Sequence, residues 1–342
     1  MAGICRFLNI HYKTGDRKVE RKIVHVVGTG TIGEPLIGLL CDYENKLGID
    51  EVTFHKNSAL KNDRSKVFDL IERGARLAVD DGKENEFKKI GMDPDLEKEE
   101  AIKRASVIID CTPKGVGREN KLDYYEKFSD DVKGFLAQGS EDGFGKKYAR
   151  GINDAALNSK DQFIQIVSCN THNMACITKT LALNDNPDNL IEGNYVCIRR
   201  ANDISQPENF IPSPQVGNHP NEKYGTHHAA DAADLFSTLG MDLNLFSSAM
   251  KVNSQYMHVM RFNLKLKEST SLNEIKDKLY NNDHIAITTK DLTSTVSSFS
   301  RDHGHYGRIM NQTVVVEQSL HVRNDHEVSG FCFTPQDGNS CL

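Results

Sequence analysis

Eight cysteines are scattered along the 342 residues, at positions 5, 41, 111, 169, 176, 197, 332 and 341. No two form a Cys-x-x-Cys pair, so neither a zinc ribbon nor a thioredoxin-type motif is present. The ordinary role of each is a small buried hydrophobe. Cys169 stands apart from the rest. It follows the apolar run 163–167 and directly precedes a helical stretch, within Ser168-Cys169-Asn170-Thr171. A thiol at a helix N-terminus meets the positive end of the dipole, which favours thiolate. Asn170 and Thr171 add side-chain donors beside it. A thiolate that adds to an aldehyde gives a thiohemiacetal, a good hydride donor. The thioester left behind is open to capture by phosphate, water or coenzyme A.

Groups that could move protons or hold phosphate lie further along. Of 13 histidines, His227-His228 follow a loop rich in Pro, Asn and Gly, and His258 sits in Tyr256-Met257-His258. Loops that long usually serve a site or an interface. The adjacent Arg199-Arg200 would suit bidentate binding of a phosphorylated ligand, although a salt-bridged surface uses arginines equally well.

These residues need elements to position them. The run 23–27 reads as a buried strand and leads straight into Gly28-Thr29-Gly30-Thr31-Ile32-Gly33, which opens a helix. In that context Gly-x-Gly-x-x-Gly is a pyrophosphate cradle. The first glycine makes the turn, the second admits the phosphates, and the third lets helix and strand pack closely. The helix N-terminus supplies the N–H donors. A second strand is expected at 52–54, then a charged region from 56 to 100 that reads mostly as helix with turns. Further strands are expected at 106–110, 133–137 and 163–167. Alternating strands and helices predict a Rossmann-type doubly wound parallel sheet. The second strand ends in His55-Lys56-Asn57, with a cation and no acid. A lysine there would neutralise a 2′-phosphate, so NADP is the preferred cofactor and NAD the second choice.

Beyond residue 168 the strands at 194–198, 243–250, 258–266 and 314–322 are longer and more alternating. They predict an α+β catalytic domain built on a mostly antiparallel open sheet. The organisation expected is an N-terminal extension over 1–22, a nucleotide-binding domain over 23–167, a catalytic and oligomerisation domain over 168–330, and a return towards the nucleotide domain over 331–342. A net charge of −6 argues against nucleic acid as a partner. No run approaches the ~20 apolar residues of a membrane span. Residues 1–21 lack the apolar region of a signal peptide, and the expected compartment is the cytoplasm. No metal site is expected.

From about Val24 to Asn339 the chain resembles the archaeal-type (class II) phosphorylating glyceraldehyde-3-phosphate dehydrogenase. The resemblance rests on Gly28 to Gly33, Ile109-Asp110-Cys111-Thr112-Pro113 with Gly115 and Gly117, and Gln138-Gly139. Val167 to Thr171, Arg199-Arg200, His227-His228, Met257-His258 and Leu292 to Thr295 continue it. It implies that Cys169 is the nucleophile and His258 the base. Thr31, Ile32, Pro113, Gln138, Gly139, Arg199 and Gln336 would contact the cofactor, with Gly28, Gly30, Gly33, Lys56 and Asn57. Ser168, Asn170, Thr171, Arg200, His227 and His228 would surround the substrate and its phosphates. The reaction implied converts D-glyceraldehyde 3-phosphate, inorganic phosphate and NAD(P) to 1,3-bisphosphoglycerate, in a homotetramer.

The chain also departs from the family. His172 replaces a threonine beside the nucleophile, where it would alter the site's edge. Ala229 replaces a glycine after the histidine pair. Met260 stands where the family carries a second histidine. The family continues into a last helix near the point where this sequence stops, so the sequence reads as truncated. Alternatives are an acyl-phosphate or acyl-coenzyme A reductase of the same plan, a non-phosphorylating aldehyde dehydrogenase, and an inactive binding protein on the same scaffold.

Overall fold

The apolar runs pair into two sheets. The computed structural model describes residues 21–139, 141–183, 186–202, 211–303 and 309–335. The first sheet holds β1 (Ile23–Val27), β2 (Glu51–His55), β3 (Arg76–Val79), β4 (Leu96–Glu97), β5 (Val107–Asp110), β6 (Gly134–Ala137), β7 (Lys146–Tyr148) and β8 (Phe163–Ile166). Their order is β4-β3-β2-β1-β5-β6-β8-β7, and every pairing is parallel. All five residues of β1 are buried, as a strand covered on both faces requires. Strands β3 and β4 correct the expectation of helix with turns over 56–100. At four and two residues they are too short to display a period, and β7 escaped notice for the same reason.

The described helices are α1 (Gly33–Asp42), α2 (Glu44–Leu47), α3 (Arg64–Glu72), α4 (Glu84–Lys89), α5 (Lys98–Arg104), α6 (Val116–Asp123), α7 (Cys169–Thr178), α8 (His227–Ser237), α9 (Leu272–Tyr280) and α10 (Thr293–His303). Among the described residues, no helix is long and apolar enough to cross a membrane. The chain winds outward from β1 to β4, then returns to β5 on the other side of β1. Such a reversal opens a crevice at the carboxyl ends of the strands.

The second sheet holds β9 (Leu190–Arg199), β10 (Gln215–Val216), β11 (Leu245–Lys251), β12 (His258–Leu266), β13 (Ile285–Thr288), β14 (Thr313–Val316), β15 (His321–Arg323) and β16 (Glu327–Thr334). It is mixed, in the order β10-β11-β9-β12-β16-β14-β13, with β15 on β16. Only β9–β11 and β13–β14 run parallel. The expected strand over 314–322 breaks at a 3-10 turn, Glu317–Ser319, into β14 and β15. Strand β16 runs past residue 330, so residues 331–334 pair in the second sheet, with His258 opposite Thr334.

Helix α7 lies at the centre of the second core. Met174 and Ile177 pack with Tyr195 of β9, Phe236 of α8 and Phe262 of β12. Residues 170–178 are all buried, so the helix has no solvent stripe and no usable periodicity.

Candidate active site

Register brings the glycine-rich and cysteine motifs to one edge. Val27 pairs with Asp110, Asp110 with Ala137, and Ala137 with Gln165. Gly28, Cys111 and Gln138 therefore leave the sheet side by side, and Cys169 follows four residues beyond Gln165.

The three glycines have distinct jobs. Gly28 has φ +98°, and a Cβ there would press on Cys111 O at 3.2 Å. At Gly33 a Cβ would lie 2.0 Å from Gly28 O, so α1 could not pack on its strand. Gly30 has nothing within 4 Å of such an atom. That open space beside an α1 N-terminus with no side-chain cap fits a pyrophosphate. Thr31 and the N-cap Ile32 sit in the same turn. The residues present therefore fit a dinucleotide.

Next to the cradle is a cavity of about 570 Å³, lined in part by Gly28, His55, Asn57, Asp80, Thr112 and Tyr124. Asn57 borders it as expected. Lys56 does not: it is buried, and its Nζ lies 2.5 Å from Asp63 Oδ2. Lys66 Nζ approaches the other Asp63 oxygen at 2.9 Å and donates to Thr29 O of the glycine turn at 3.0 Å. Burial raises the Asp63 carboxyl, but the two ammonium partners bring it below its usual value. Two cations thus share one carboxylate, so this trio is net positive, while Asp80 meets His55 Nε2 at 3.0 Å and lines the cavity close by.

The β5–α6 turn is held by two buried acids. Asp110 accepts from Thr112 N–H, Asn120 and the Tyr125 hydroxyl. Glu141 accepts from Gly115 N–H at 2.7 Å and Arg118 N–H at 3.2 Å, closing the N-terminus of α6. Pro113 is exposed on this turn. Gln138 is buried, and its Oε1 has no hydrogen-bond partner. Beside it Gly139 has φ +74° and open space where a Cβ would be. An unpaired buried carbonyl next to an unobstructed glycine fits a ligand edge.

Cys169 is the first residue of α7. Ser168 caps the helix, its Oγ accepting from Thr171 N–H at 3.3 Å and pairing with the Thr171 hydroxyl at 2.9 Å. Asn170 is buried, and its Oδ1 has no partner. Asn173, one turn on from Cys169 and on the same face, donates to Thr334 Oγ1 at 2.6 Å. Thr334 lies opposite His258, so this bond docks the nucleophile's helix against the start of β12.

His258 is nine-tenths buried, and its Nδ1 accepts from Arg200 N–H at 3.0 Å. Burial first, then Arg200 and Arg199, lowers its pKa to about 3. A neutral ring that accepts at Nδ1 carries its hydrogen on Nε2. It therefore presents a donor at Nε2 in this arrangement.

His227 and His228 stack at 4.0 Å between ring centroids. His228 is buried with neither ring nitrogen bonded. Desolvation, then His227, Arg199 and His258, holds it well below the usual histidine range. His227 is also lowered, by desolvation and then by Arg199 and Lys114, against the raising effect of Asp231. Arg199, Arg200, His227, His228 and His258 thus form one mutually interacting set, with Lys114 reaching it from the β5–α6 turn. Cys169 lies close enough to Cys197, two residues before Arg199, to act on its thiol. Such a cluster of cations around the unbonded His228 ring suits a phosphorylated anion.

Two departures prove to be structural. His172 is fully buried, turned to Arg150 O at 2.9 Å, and so does not form the site's edge. Ala229 is fully buried and donates its N–H to Ser247 Oγ at 3.2 Å. Met260 likewise fills the core. Gln336 lies outside the described residues. Asn173 and Lys114 were missed, although the four-residue spacing from Cys169 to Asn173 was visible in the sequence. Thr334 could be found only through strand register.

No family model matches the chain. It is similar to archaeal proteins named glyceraldehyde-3-phosphate dehydrogenase. Identity to that of Methanobacterium formicicum is 29% over 266 residues, 72% of this chain and 74% of that protein. Identity to glyceraldehyde-3-phosphate dehydrogenase 2 of Methanosarcina acetivorans is 29% over 282 residues, covering 80% and 76%. The Picrophilus torridus protein is 28% identical over 258 residues, covering 74% and 69%. The similarity to dehydrogenases of this name thus spans most of the chain.

Proposed function

We propose that this chain is a phosphorylating glyceraldehyde-3-phosphate dehydrogenase that prefers NADP, accepts NAD, and works in the cytoplasm as a homotetramer. The similarity to proteins of that name supports a glyceraldehyde-3-phosphate dehydrogenase type of oxidoreductase. The observation that carries the reading is Cys169 at the capped N-terminus of a buried helix, docked through Asn173 and Thr334 beside His258, at the sheet edge that carries the glycine cradle. Gly28, Gly30, Thr31, Ile32, Gly33, Gln138 and Gly139 would hold the nicotinamide dinucleotide, which supplies a two-electron hydride acceptor.

Cys169 as thiolate adds to the aldehyde carbon, forming a C–S bond and an oxyanion. His258 donates its Nε2–H to that oxygen, so loss of hydride from the same carbon needs no general base. The thioester remains on Cys169. Inorganic phosphate, held by Arg200, Thr171 and the histidine pair, then attacks the carbonyl carbon. The C–S bond breaks, and the electron pair returns to sulfur. Lys56, Lys66 and Asp63 supply the net positive charge that favours a 2′-phosphate. Mass spectrometry of intact protein given glyceraldehyde 3-phosphate and NADP without phosphate tests the covalent step. An acyl adduct on wild type that is absent from Cys169→Ser supports it, and no adduct on wild type contradicts it.

A further inference from the structure

Helix α8 presents His227-His228 at its first turn, yet its other end is tied to the nucleotide-binding sheet. Lys147 lies on β7, the edge strand of that sheet. Its Nζ stands 2.8 Å from Asp231 Oδ1 and 2.7 Å from Asp234 Oδ2, both on α8. The fully buried Asn153 adds a second tie, donating from Nδ2 to Lys147 O and to Thr238 Oγ1, each at 3.0 Å. The chain between these ties also braces α7, since His172 meets Arg150 O, and Lys179 Nζ donates to Gly151 O at 2.6 Å. One short segment therefore holds both helices that carry site residues.

We propose that Lys147 is a positioning residue: by engaging Asp231 and Asp234 it fixes the direction of α8 and draws on the Asp231 carboxylate that also faces His227. That this matters for turnover rests on the reading of His227-His228 as part of the phosphate site. Asp231 is four residues on from His227, on the same helix face, where side chains meet. Lys147 and Asp231 are 16% and 19% exposed, so their attraction is partly shielded from solvent. The groups facing His227 are Asp231 from its own helix, Arg199 from β9, Lys114 from the β5–α6 turn, and His228. Asp231 alone favours the imidazolium. With Lys147 in place that carboxylate is engaged, so it competes less with a substrate anion for the His227 ring.

The test is an NMR titration of labelled histidines in the full-length protein without substrate, His227 being assigned from His227→Gln. In Lys147→Met the His227 midpoint should rise by about one pH unit. Lys147→Arg should titrate like wild type, and the rise should vanish in Lys147→Met with Asp231→Asn. An unmoved midpoint in Lys147→Met, or an equal rise in the double variant, overturns the proposal whatever the protein turns over. A merely structural brace would lower thermal stability without moving this midpoint. In assays, Lys147→Met should raise KM for glyceraldehyde 3-phosphate about tenfold with little change in kcat. A moved midpoint with an unchanged KM supports the latch and overturns the phosphate-site reading of the histidine pair.

Discussion

The two sheets build their parts of the site in opposite ways. At the edge of the parallel sheet the working features are mainly absences: no Cβ at Gly28, Gly30 or Gly33 and no side-chain cap on α1, with the unpaired Gln138 Oε1 beside them. Beside the mixed sheet they are buried side chains whose hydrogen bonding is incomplete, namely Asn170 Oδ1 and both nitrogens of His228. Backbone shape can accommodate most of a cofactor while leaving few polar atoms stranded. A reacting centre has to keep groups poised, and leaving them unpaired is costly unless a ligand completes them. The first region should therefore tolerate change until backbone collides, whereas the second should lose function before it loses structure.

The largest effect is expected at the nucleophile. Cys169→Ser should lower kcat by about 10⁴-fold or more while cofactor affinity, measured by fluorescence titration, stays unchanged. Substantial residual oxidation would remove the distinction, because the second sheet would then also act by shape alone.

His258 sharpens the same contrast. His258→Gln can still offer an N–H near the position of Nε2, whereas His258→Ala cannot. The alanine variant should lose about 10²- to 10³-fold in kcat and the glutamine variant clearly less. Equal losses would favour the base role that the resemblance implies over the donor role.

Glycine substitutions separate shape from binding. Gly33→Ala puts a methyl 2.0 Å from Gly28 O, so thermal melts should report a loss of about 3 kcal/mol or more. Gly30→Ala meets nothing and should melt like wild type, yet bind dinucleotide at least about tenfold more weakly. Intact binding in Gly30→Ala would dissociate the cradle from the cofactor.

Histidines buried as neutral rings also predict an acid weakness. Burial lowers His25 and His258 to about 3 and His172 to about 4. An unfolded histidine titrates near 6.5, so between the two values the unfolded chain binds more protons. Stability is then fully present above about pH 6.5 and falls with acid, by about 1.4 kcal/mol per pH unit for each such ring. Urea unfolding at several pH values should show this slope, and His172→Gln should flatten it. A pH-independent midpoint would mean these rings are not buried neutral. Smallest of all, Lys56→Met should weaken NADP binding a few-fold and NAD binding hardly at all. Equal effects would detach the Lys56–Asp63–Lys66 cluster from the 2′-phosphate.

Much of this was legible in the residues. The Gly28–Gly33 motif, the strand before Cys169 and the longer strands beyond it all carry periods or turn signals that propagate locally. What escaped depends on distant partners. Strands of two to four residues such as β4 and β7 exist only because neighbours pair with them. Lys56 read as the cation that meets a 2′-phosphate, but its ammonium is engaged by Asp63. The role of His258 turns on a tautomer, which the Arg200 N–H sets across two strands. His172 and Ala229 resembled changes to the site because they adjoin it in sequence, but His172 turns to Arg150 O and Ala229 packs in the core.

The most direct test of the central claim is reduction of NADP by purified protein given glyceraldehyde 3-phosphate, followed by absorbance with and without inorganic phosphate. Sustained reduction that requires phosphate is the predicted result, with NADP used better than NAD. Sustained reduction at the same rate without phosphate would contradict the phosphorylating assignment. Absence of reduction with either cofactor would contradict the dehydrogenase reading itself.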